Sequence, residues 1–336
     1  MKVDGAVSQD LDKAADTARE AEATGYDGLW TAETAHDPFF PLLLAAQATE
    51  RVELGTGIAV AFARSPMTLA NVGYDLQKAS KGRFILGLGS QIKPHITKRF
   101  SMPWSHPAAR MKELISAVKA IWSAWDTREK LDFRGDFYTH TLMTPFFDPG
   151  PNPAGQARIF LAAVGELMTE VVGEVCDGML VHAFTTEKYL RDVTLPALER
   201  GLQRSGRSMG DIELSGPAFV VTGTNEEEMA ASATGVRRQI AFYGSTPAYR
   251  GVLEQHGWGD LQTELNGLSK QGKWEEMGTL IDDDVLDAFA IVAEPEAIAG
   301  KLHDRYGDVV DRMSFYVPYR SDPERWGQVL QDIKAA

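Results

Sequence analysis

The sequence predicts a single-domain α/β fold, a (β/α)8 TIM barrel with insertions that spans residues 1–336. Segments with the apolar, β-branched character of strands alternate with amphipathic helical segments, which is the pattern of successive βα units. Eight such strands can be counted, and eight parallel units favour closure into a barrel. An open, doubly wound sheet is the alternative, but the first strand is not followed by the glycine-rich turn that binds dinucleotides in such sheets.

Each predicted unit pairs one strand with one helix. The first helix carries Leu11, Ala14 and Ala18 on one face, Ser8 is its expected N-cap, and Gly25 follows where a C-terminal glycine belongs. The predicted strands are residues 2–7, 27–32, 52–60, 83–88, 158–163, 178–183, 212–222 and 312–317. The predicted helices are residues 10–23, 38–49, 67–80, 107–125, 166–175, 186–204, 225–241 and 322–334.

Three segments interrupt this alternation and are predicted as insertions, at residues 91–107, 126–157 and 243–290. The second contains an expected hairpin followed by a loop rich in proline and glycine. The third carries short helical pieces among scattered glycine, tryptophan and acidic residues, so we expect it to cover part of one end of the barrel. Trp258 and Trp274 within it are candidates for a lid that excludes water.

Composition limits the classes of partner. The formal net charge is −13, whereas nucleic acids and anionic membranes both require basic surfaces, so neither is an expected partner and a small-molecule substrate is. The single cysteine, Cys176, excludes an intrachain disulfide. No apolar run reaches the roughly 18 residues of a membrane span, and the N-terminus does not read as a signal peptide. We therefore expect a cytoplasmic protein.

The functional residues of a TIM barrel cluster at the C-terminal ends of its strands. Three of the seven histidines follow predicted strands: His36, His95 and His182. Glu33 shares a loop with His36. An imidazole near neutral pH donates or accepts a proton, so His36, His95 and Glu33 are candidate catalytic residues, with a purely structural hydrogen bond or packed ring as the alternative for each histidine. The histidines lack metal-ligand spacing and no cysteine pair exists, so no metal site is predicted.

Glycines mark two further strand ends. Gly57 interrupts an apolar strand, and Gly87 and Gly89 lie at the end of the next one. Glycine at such positions indicates either tight backbone packing or the close approach of a planar ligand to the backbone.

The turn Ala162-Ala163-Val164-Gly165 ends the fifth predicted strand and opens a helix. Small residues there leave backbone N–H groups free, and the helix N-terminus adds a partial positive charge, so the turn suits a phosphate group. A plain tight turn is the alternative. Glu166 lies in the same first turn and would repel an anion if its carboxylate faced the pocket.

Several segments resemble the luciferase-like monooxygenase superfamily, and together they cover nearly the whole chain. They are Ala21-Glu22-Ala23-Thr24-Gly25-Tyr26-Asp27-Gly28-Leu29-Trp30, Leu54-Gly55-Thr56-Gly57-Ile58 and Lys81-Gly82-Arg83-Phe84-Ile85-Leu86-Gly87-Leu88-Gly89-Ser90. Residues 31–39, 89–95 and 242–250 are most similar to the branch that uses the deazaflavin coenzyme F420. The resemblance implies a luciferase-like (β/α)8 barrel, usually a homodimer.

The same resemblance implies an oxidoreductase that transfers a hydride between F420 and an organic substrate. His36 matches a histidine near the reactive face of the cofactor ring, and Gly57–Ile58 matches a non-proline cis peptide behind that ring. The loop beside the ring corresponds to Gly87, Gly89, Ser90 and Gln91, and the phosphate-binding backbone corresponds to Ala162, Ala163, Val164 and Gly165.

The chain departs from some relatives at Gln91 and Ile92, where those relatives carry an acidic proton donor. The donor would then be His36, His95, Glu33 or water. Two alternatives to F420 chemistry stay open at this point: an FMN-dependent monooxygenase, and a non-catalytic barrel that binds a ligand.

Overall fold

The computed structural model describes residues 1–336, and its strands follow the predicted order. In chain order the strands are β1 (Lys2–Ala6), β2 (Gly28–Thr31), β3 (Glu53–Thr56), β4 (Ala59–Val60), β5 (Phe84–Gly89), β6 (Phe133–Arg134), β7 (Thr139–His140), β8 (Arg158–Ala163), β9 (Gly178–Val181), β10 (Glu213–Val221), β11 (Ala290–Val292) and β12 (Arg312–Tyr316).

Eight of these strands close a parallel barrel in the order β1, β2, β3, β5, β8, β9, β10 and β12. Closure follows from the pairing of β12, which is hydrogen-bonded to β1 on one side and to β10 on the other. The predicted (β/α)8 barrel is therefore confirmed. The predicted third strand is split, because β3 ends at Thr56 and β4 resumes at Ala59. The short antiparallel pair β6–β7 forms where the hairpin was expected.

Helices surround the barrel. They are α1 (Leu11–Thr24), α2 (Phe39–Ala48), α3 (Pro66–Ala79), α4 (Pro107–Thr127), α5 (Glu166–Val175), α6 (Glu187–Tyr189), α7 (Leu195–Arg204), α8 (Glu226–Gly244), α9 (Arg250–Glu254), α10 (Gly259–Lys270), α11 (Trp274–Thr279), α12 (Asp283–Phe289), α13 (Ile298–Tyr306) and α14 (Pro323–Ala335).

Local signals account for the helix ends. Asp10, not Ser8, caps α1, because its side chain accepts a hydrogen bond from the Asp12 amide. Gly25 ends the same helix in the left-handed conformation, with φ of 105°. Ser65 caps α3 in a reciprocal pair with Thr68. The expected helix over 186–204 is interrupted by a π-turn between α6 and α7.

Two elements were not predicted, β11 and α13. Phe219 of β10 pairs with Tyr316 of β12 on one side and with Ala290 of β11 on the other, so β11 lies along the edge of β10 that faces β9. This extra strand widens the C-terminal end of the barrel between β9 and β10. Three residues are too short a segment to show the alternation that identifies a strand.

The N-terminal half of the barrel interior is filled by charged groups. Arg312 is fully buried, and its guanidinium binds both carboxylate oxygens of Asp4, at 2.6 and 2.9 Å. The complete cluster has three cations and three carboxylates: Lys2, Arg158, Arg312, Asp4, Glu53 and Glu213. The balanced charges allow ionised groups to remain inside the barrel.

The middle of the interior is filled by two large rings. Trp30 and Phe160 lie with their ring centroids 6.1 Å apart. Glycines make room for them, because a Cβ atom on Gly55 would lie 2.3 Å from the Trp30 ring and one on Gly178 would lie 2.4 Å from the Phe160 ring. The barrel is thus packed from its N-terminal end up to this layer.

The third predicted insertion forms α9 to α12, which pack with α8. Their apolar side chains join those at the ends of β9 and β10 in a core of 18 buried residues, separate from the main core. This second core builds up the C-terminal end of the barrel on one side. Trp258 stacks on His256 at 4.4 Å, and Trp274 is half exposed beside Phe242.

Candidate active site

The C-terminal ends of the strands surround an opening instead of a further packed layer. Ala6 lies two residues beyond Asp4 on β1, and Ala162 lies two residues beyond Phe160 on β8, so both continue the interior face. Ala6 is exposed and Ala162 is half-buried. Small side chains at the top of the interior therefore leave a concave mouth above the Trp30 layer, where barrel sites form.

The Gly57–Ile58 peptide bond is cis, as the family resemblance implies. It lies between β3 and β4 at the edge of the mouth, where Gly57 is exposed and Ile58 is half-buried. The loop after β2 holds both residues: the Gly57 amide donates to the Thr31 carbonyl at 2.7 Å, and the Glu33 amide donates to the Ile58 carbonyl at 3.0 Å. The ends of β2 and β3 are thereby joined.

Tight packing accounts for Gly87 and Gly89, which are both buried. A Cβ atom on Gly87 would lie 1.7 Å from the Thr56 carbonyl oxygen, and one on Gly89 would lie 2.8 Å from the Ile58 side chain. The Thr56 hydroxyl also donates to the Gly87 carbonyl at 2.6 Å. These glycines let the β3–β4 segment approach β5, and they position the residues around Gly57 from below.

Glu33 is held in a structural ion pair. Its carboxylate accepts hydrogen bonds from Arg64 Nη1 at 2.6 Å and from the Val60 amide at 2.7 Å, and its side chain is 7% exposed. Asp37 accepts from the other Arg64 nitrogen at 3.0 Å. Because both partners of Glu33 are hydrogen-bond donors, the carboxylate anchors β4 to the loop after β2. This arrangement leaves His36 and His95 as the side chains of the predicted catalytic set that are open to a ligand.

His36 and His95 both lie at the rim of the mouth and are exposed. His36 is in the loop after β2, and His95 begins a one-turn π-helix in the segment after β5. Arg99 of that turn donates to the Thr34 carbonyl, which brings the two loops together. Neither imidazole has a hydrogen-bond partner in the protein, so both are available to a ligand.

Ser90 and Gln91 turn the chain away from β5. The Ser90 hydroxyl donates to the Gln91 carbonyl at 3.0 Å, and Gln91 adopts a left-handed conformation with φ of 56°. Their side chains lie at the mouth and are half-buried. They shape the loop that leads to His95.

The Ala162–Gly165 turn opens α5 beside the mouth. Gly165 occupies the N-cap position, and no side chain caps the helix. A Cβ atom on Gly165 would meet no atom within 4 Å, so the space in front of the helix is open. Glu166 does not face this space, because its carboxylate pairs with Arg200 at 2.6 Å. The first amides of α5 are thus available to an anion.

An aromatic wall forms the opposite side of the mouth, at the ends of β9, β10 and β12, in the last turn of α8 and just after that helix. Its members are His182, Phe184, Phe219, Tyr243, Tyr249 and Tyr316. His182 packs against the rings of Tyr243 and Tyr249, with centroids 4.8 and 4.7 Å away. Burial among these rings lowers the pKa of His182 to about 4, so its imidazole is neutral near pH 7.

Sequence reasoning placed His182 at the end of a strand but gave no role to Tyr249 and Tyr316. It also missed a charge pattern. Residues 76–112 contain eight Lys or Arg and no Asp or Glu, although the whole chain has a net charge of −13. Lys93 and Lys98 of this segment are exposed in the loop that carries His95. These two lysines make the β5 side of the mouth locally basic.

The structure contains no group of three or more His, Cys, Asp or Glu side chains arranged to hold a metal ion. None of its helices is long and apolar enough to cross a membrane.

The closed parallel barrel and its open C-terminal mouth define the chain as a (β/α)8-barrel protein with a site built from strand-end loops. The luciferase-like monooxygenase family model matches residues 2–312, and the chain belongs to this family.

Individual relatives agree with this assignment. An uncharacterised protein of Mycobacterium tuberculosis is 59% identical over 313 residues, which cover 93% of this chain and 92% of that protein. The 5,10-methylenetetrahydromethanopterin reductase of Methanolobus tindarius is 26% identical over 297 residues, covering 87% of this chain and 86% of that protein.

Among solved structures, the coenzyme F420-dependent tetrahydromethanopterin reductase from Methanopyrus kandleri superposes with a TM-score of 0.80 at 20% identity, covering 99% of this chain and 98% of that chain. An F420-dependent secondary alcohol dehydrogenase, solved with an F420–acetone adduct, superposes with a TM-score of 0.74 at 14% identity, covering 99% and 98%. Both likenesses concern the fold.

Proposed function

We propose that the protein is an oxidoreductase that transfers a hydride between coenzyme F420 and a small organic substrate. The observation that carries the proposal is the uncapped N-terminus of α5 beside an open mouth, with an exposed imidazole, His36, across the rim. The tetrahydromethanopterin reductases similar to this chain, one of them described as F420-dependent, support the choice of cofactor.

The residues present fit such a cofactor. The open space in front of Gly165 and the free amides at the start of α5 suit its phosphate, and the Glu166 carboxylate is turned toward Arg200. Ala6, Ala162 and the exposed Gly57 offer a floor of small residues for a planar ring. The basic segment after β5 adds positive charge where an anionic cofactor would enter.

When bound, F420 supplies or accepts a hydride equivalent at its ring. In the reducing direction the substrate carbon gains the hydride, the C=O double bond becomes a C–O single bond, and the oxygen needs one proton. His36 is placed to deliver that proton, and in the oxidising direction the same imidazole accepts it. The hydride and the proton together balance the two-electron change.

Other residues orient the reactants. The pair formed by Glu33 and Arg64 fixes the loop that carries His36. The aromatic wall limits access of water from the β9–β12 side. His95 lies on the same rim as His36 and is the second imidazole that could exchange a proton with solvent or substrate.

The test is a separate titration of the purified protein with F420 and with FMN, followed by quenching of its seven tryptophans. Micromolar binding of F420 with much weaker binding of FMN is the expected result. Tight FMN binding with oxygen consumption coupled to substrate hydroxylation would replace the proposal by a flavin monooxygenase. Binding of neither cofactor would leave a ligand-binding barrel without catalysis.

A further inference from the structure

The hydrogen bonds of the aromatic wall fix the tautomer of His182. The Phe184 backbone amide donates to His182 Nδ1 at 3.0 Å, so Nδ1 acts as an acceptor and carries no hydrogen. Because burial keeps this imidazole neutral, its single ring hydrogen is on Nε2. Nε2 therefore donates to the Tyr249 hydroxyl oxygen, 3.3 Å away.

The tautomer of His182 determines whether the Tyr249 hydroxyl donates or accepts the hydrogen bond between them. Since its oxygen receives the hydrogen bond from His182, its own hydroxyl hydrogen must point elsewhere. His182 is the only protein group within hydrogen-bonding distance of that hydroxyl, and the side chain of Tyr249 is half-buried at the mouth. The hydroxyl hydrogen of Tyr249 thus has no acceptor in the protein and is available to a ligand.

The wall around this donor is uncharged. The second polar pair in it joins the Tyr243 and Tyr316 hydroxyls at 2.9 Å, and burial raises the pKa of Tyr243, which keeps it protonated. Phe184 and Phe219 form a fully buried base behind these groups. A ligand in contact with the wall therefore meets ring faces and neutral hydroxyls.

Three cations on the helices around the wall are engaged by other groups. Lys188 donates to the Gln255 carbonyl at 2.8 Å, and Arg250 pairs with Glu254 at 2.6 Å. Arg238 pairs with Glu275. A carboxylate or phosphate in contact with the wall itself would lose hydration without pairing with any of these three cations, and that loss is unfavourable in a low-dielectric setting.

The wall is contiguous with the turn assigned above to the cofactor phosphate. β9 pairs with β8 along the barrel, and the Tyr189 hydroxyl donates to the Val164 carbonyl of the turn at 3.3 Å. The wall and His36 thus face one another across the mouth, on the β9–β12 and β2–β5 sides. A substrate that fills the mouth would touch both.

We infer that the aromatic wall is the substrate subsite and that it takes uncharged, apolar carbonyl compounds or alcohols, whose oxygen accepts a hydrogen bond from Tyr249. The inference rests on the proposed function and extends it to the class of substrate. Tyr249 acts as a group that polarises and orients the substrate oxygen, and His182 acts as a positioning residue because it holds the Tyr249 hydroxyl in the donor orientation.

Calorimetric titrations test the preference for uncharged ligands. The F420-loaded protein is titrated with two matched pairs of probes, cyclohexanone against 4-oxocyclohexanecarboxylate and acetophenone against 4-acetylbenzoate. We expect each neutral ketone to bind at least about tenfold more tightly than its carboxylate, since an unpaired charge loses hydration at the wall. Equal or tighter binding of both carboxylates would overturn the inference.

A second experiment tests the contribution of the Tyr249 hydroxyl to ketone binding. Tyr249→Phe should weaken binding of the better ketone by about tenfold, the size of one hydrogen bond to a neutral acceptor. It should leave F420 affinity unchanged. The matched control is Tyr74→Phe, which removes an exposed hydroxyl on α3 away from the mouth. Unchanged ketone binding in Tyr249→Phe would remove this residue from the subsite.

The tautomer is open to direct observation. Long-range ¹H–¹⁵N correlation spectra of the ¹⁵N-histidine-labelled protein, assigned with His182→Gln, should show a hydrogen on Nε2 and none on Nδ1. The opposite tautomer would make Tyr249 the donor to His182 and would contradict the inference. If F420 itself fails to bind, the proposed function fails, and the ketone pairs titrated into the cofactor-free protein then test the wall by itself.

Discussion

Asp4 and Arg312 form a bidentate ion pair inside the barrel, with both side chains fully buried. Asp4 lies on the first strand and Arg312 on the last, and these strands pair directly, so the ion pair spans the seam where the barrel closes. The Trp30 indole also donates to Asp4, at 2.8 Å. One carboxylate thus satisfies two buried donor groups at the point where the chain ends meet.

Removal of the Asp4 carboxylate should lower the free energy of unfolding strongly. Asp4→Ala leaves the Arg312 guanidinium buried without its closest partner, and breaking a buried pair in this way costs about 3–5 kcal/mol of the free energy of unfolding. Guanidinium denaturation measures the loss. Asp16→Ala is the control, because it breaks an exposed pair with Arg19 that should contribute less than about 1 kcal/mol. Similar midpoints for both variants would contradict a stabilising role for Asp4.

The barrel could be predicted from sequence because its strands carry strong local signals. The apolar run over 83–88 and the helical face of 107–125 both reappear within two residues of their predicted bounds, as β5 and α4. β11 was missed because three residues are too few to show the alternation of a strand. α13 does carry a local signal, since Ile298, Leu302 and Tyr306 are buried at helical spacing, and that signal was overlooked.

The location of the site could be predicted from the sequence better than the roles of its residues. Strand ends correctly placed His36, Gly57 and Gly165 at the mouth, because parallel strands bring their C-terminal ends together. The partner of Glu33 could not be read from sequence, since Arg64 approaches it only through the folded β3–β4 segment. The same holds for Tyr249, whose hydroxyl is oriented by its hydrogen bond with His182.

Gly87→Ala should destabilise the protein strongly. The added Cβ would lie 1.7 Å from the Thr56 carbonyl oxygen, a backbone atom that cannot move without shifting β3. We expect a loss above about 2 kcal/mol, as for other overpacked core positions. Gly300→Ala in α13 is the control, because no atom lies within 4 Å of its Cβ position and alanine should stabilise that helix by about 0.5–1 kcal/mol. A tolerated Gly87→Ala would return this glycine to a ligand-contact role.

His182 should make stability sensitive to acid. Its pKa of about 4 in the folded protein lies below the usual 6.5, so below pH 6.5 the unfolded chain binds a proton that the folded protein does not. The free energy of unfolding therefore falls as the pH drops from 6.5 toward 4. Between pH 7.5 and 5 this group should contribute about 1–2 kcal/mol of that fall.

The contribution is measured by denaturation of the wild type and His182→Gln at both pH values. The difference between pH 7.5 and 5 should be smaller in His182→Gln. His303→Gln, which replaces an exposed histidine, should behave like the wild type. An identical pH dependence in all three proteins would show that His182 does not stay neutral in the folded state.

His36→Ala tests the proton-transfer role. Loss of a positioned acid–base group lowers turnover by about 10²-fold or more, whereas an exposed imidazole contributes little to cofactor binding. The F420 dissociation constant should therefore change by less than about threefold, within 0.7 kcal/mol. His95→Ala provides the comparison on the same rim. Equal turnover in His36→Ala and the wild type would transfer the role to His95 or to water.

Gly165→Asp separates helix capping from anion binding, because the two effects have opposite signs. The residue has extended backbone and open space at its Cβ position, so aspartate fits without strain. Its carboxylate would accept hydrogen bonds from the first amides of α5 and stabilise the helix by a few tenths of a kcal/mol relative to glycine. The same carboxylate would occupy the position proposed for the phosphate and would repel that group. F420 affinity, measured by tryptophan quenching, should fall at least about tenfold, or 1.4 kcal/mol, while the melting temperature holds or rises. Gly165→Ala, which adds bulk without charge, should bind F420 nearly as well as the wild type. If Gly165→Asp and Gly165→Ala bind F420 equally well, the phosphate does not lie at the N-terminus of α5.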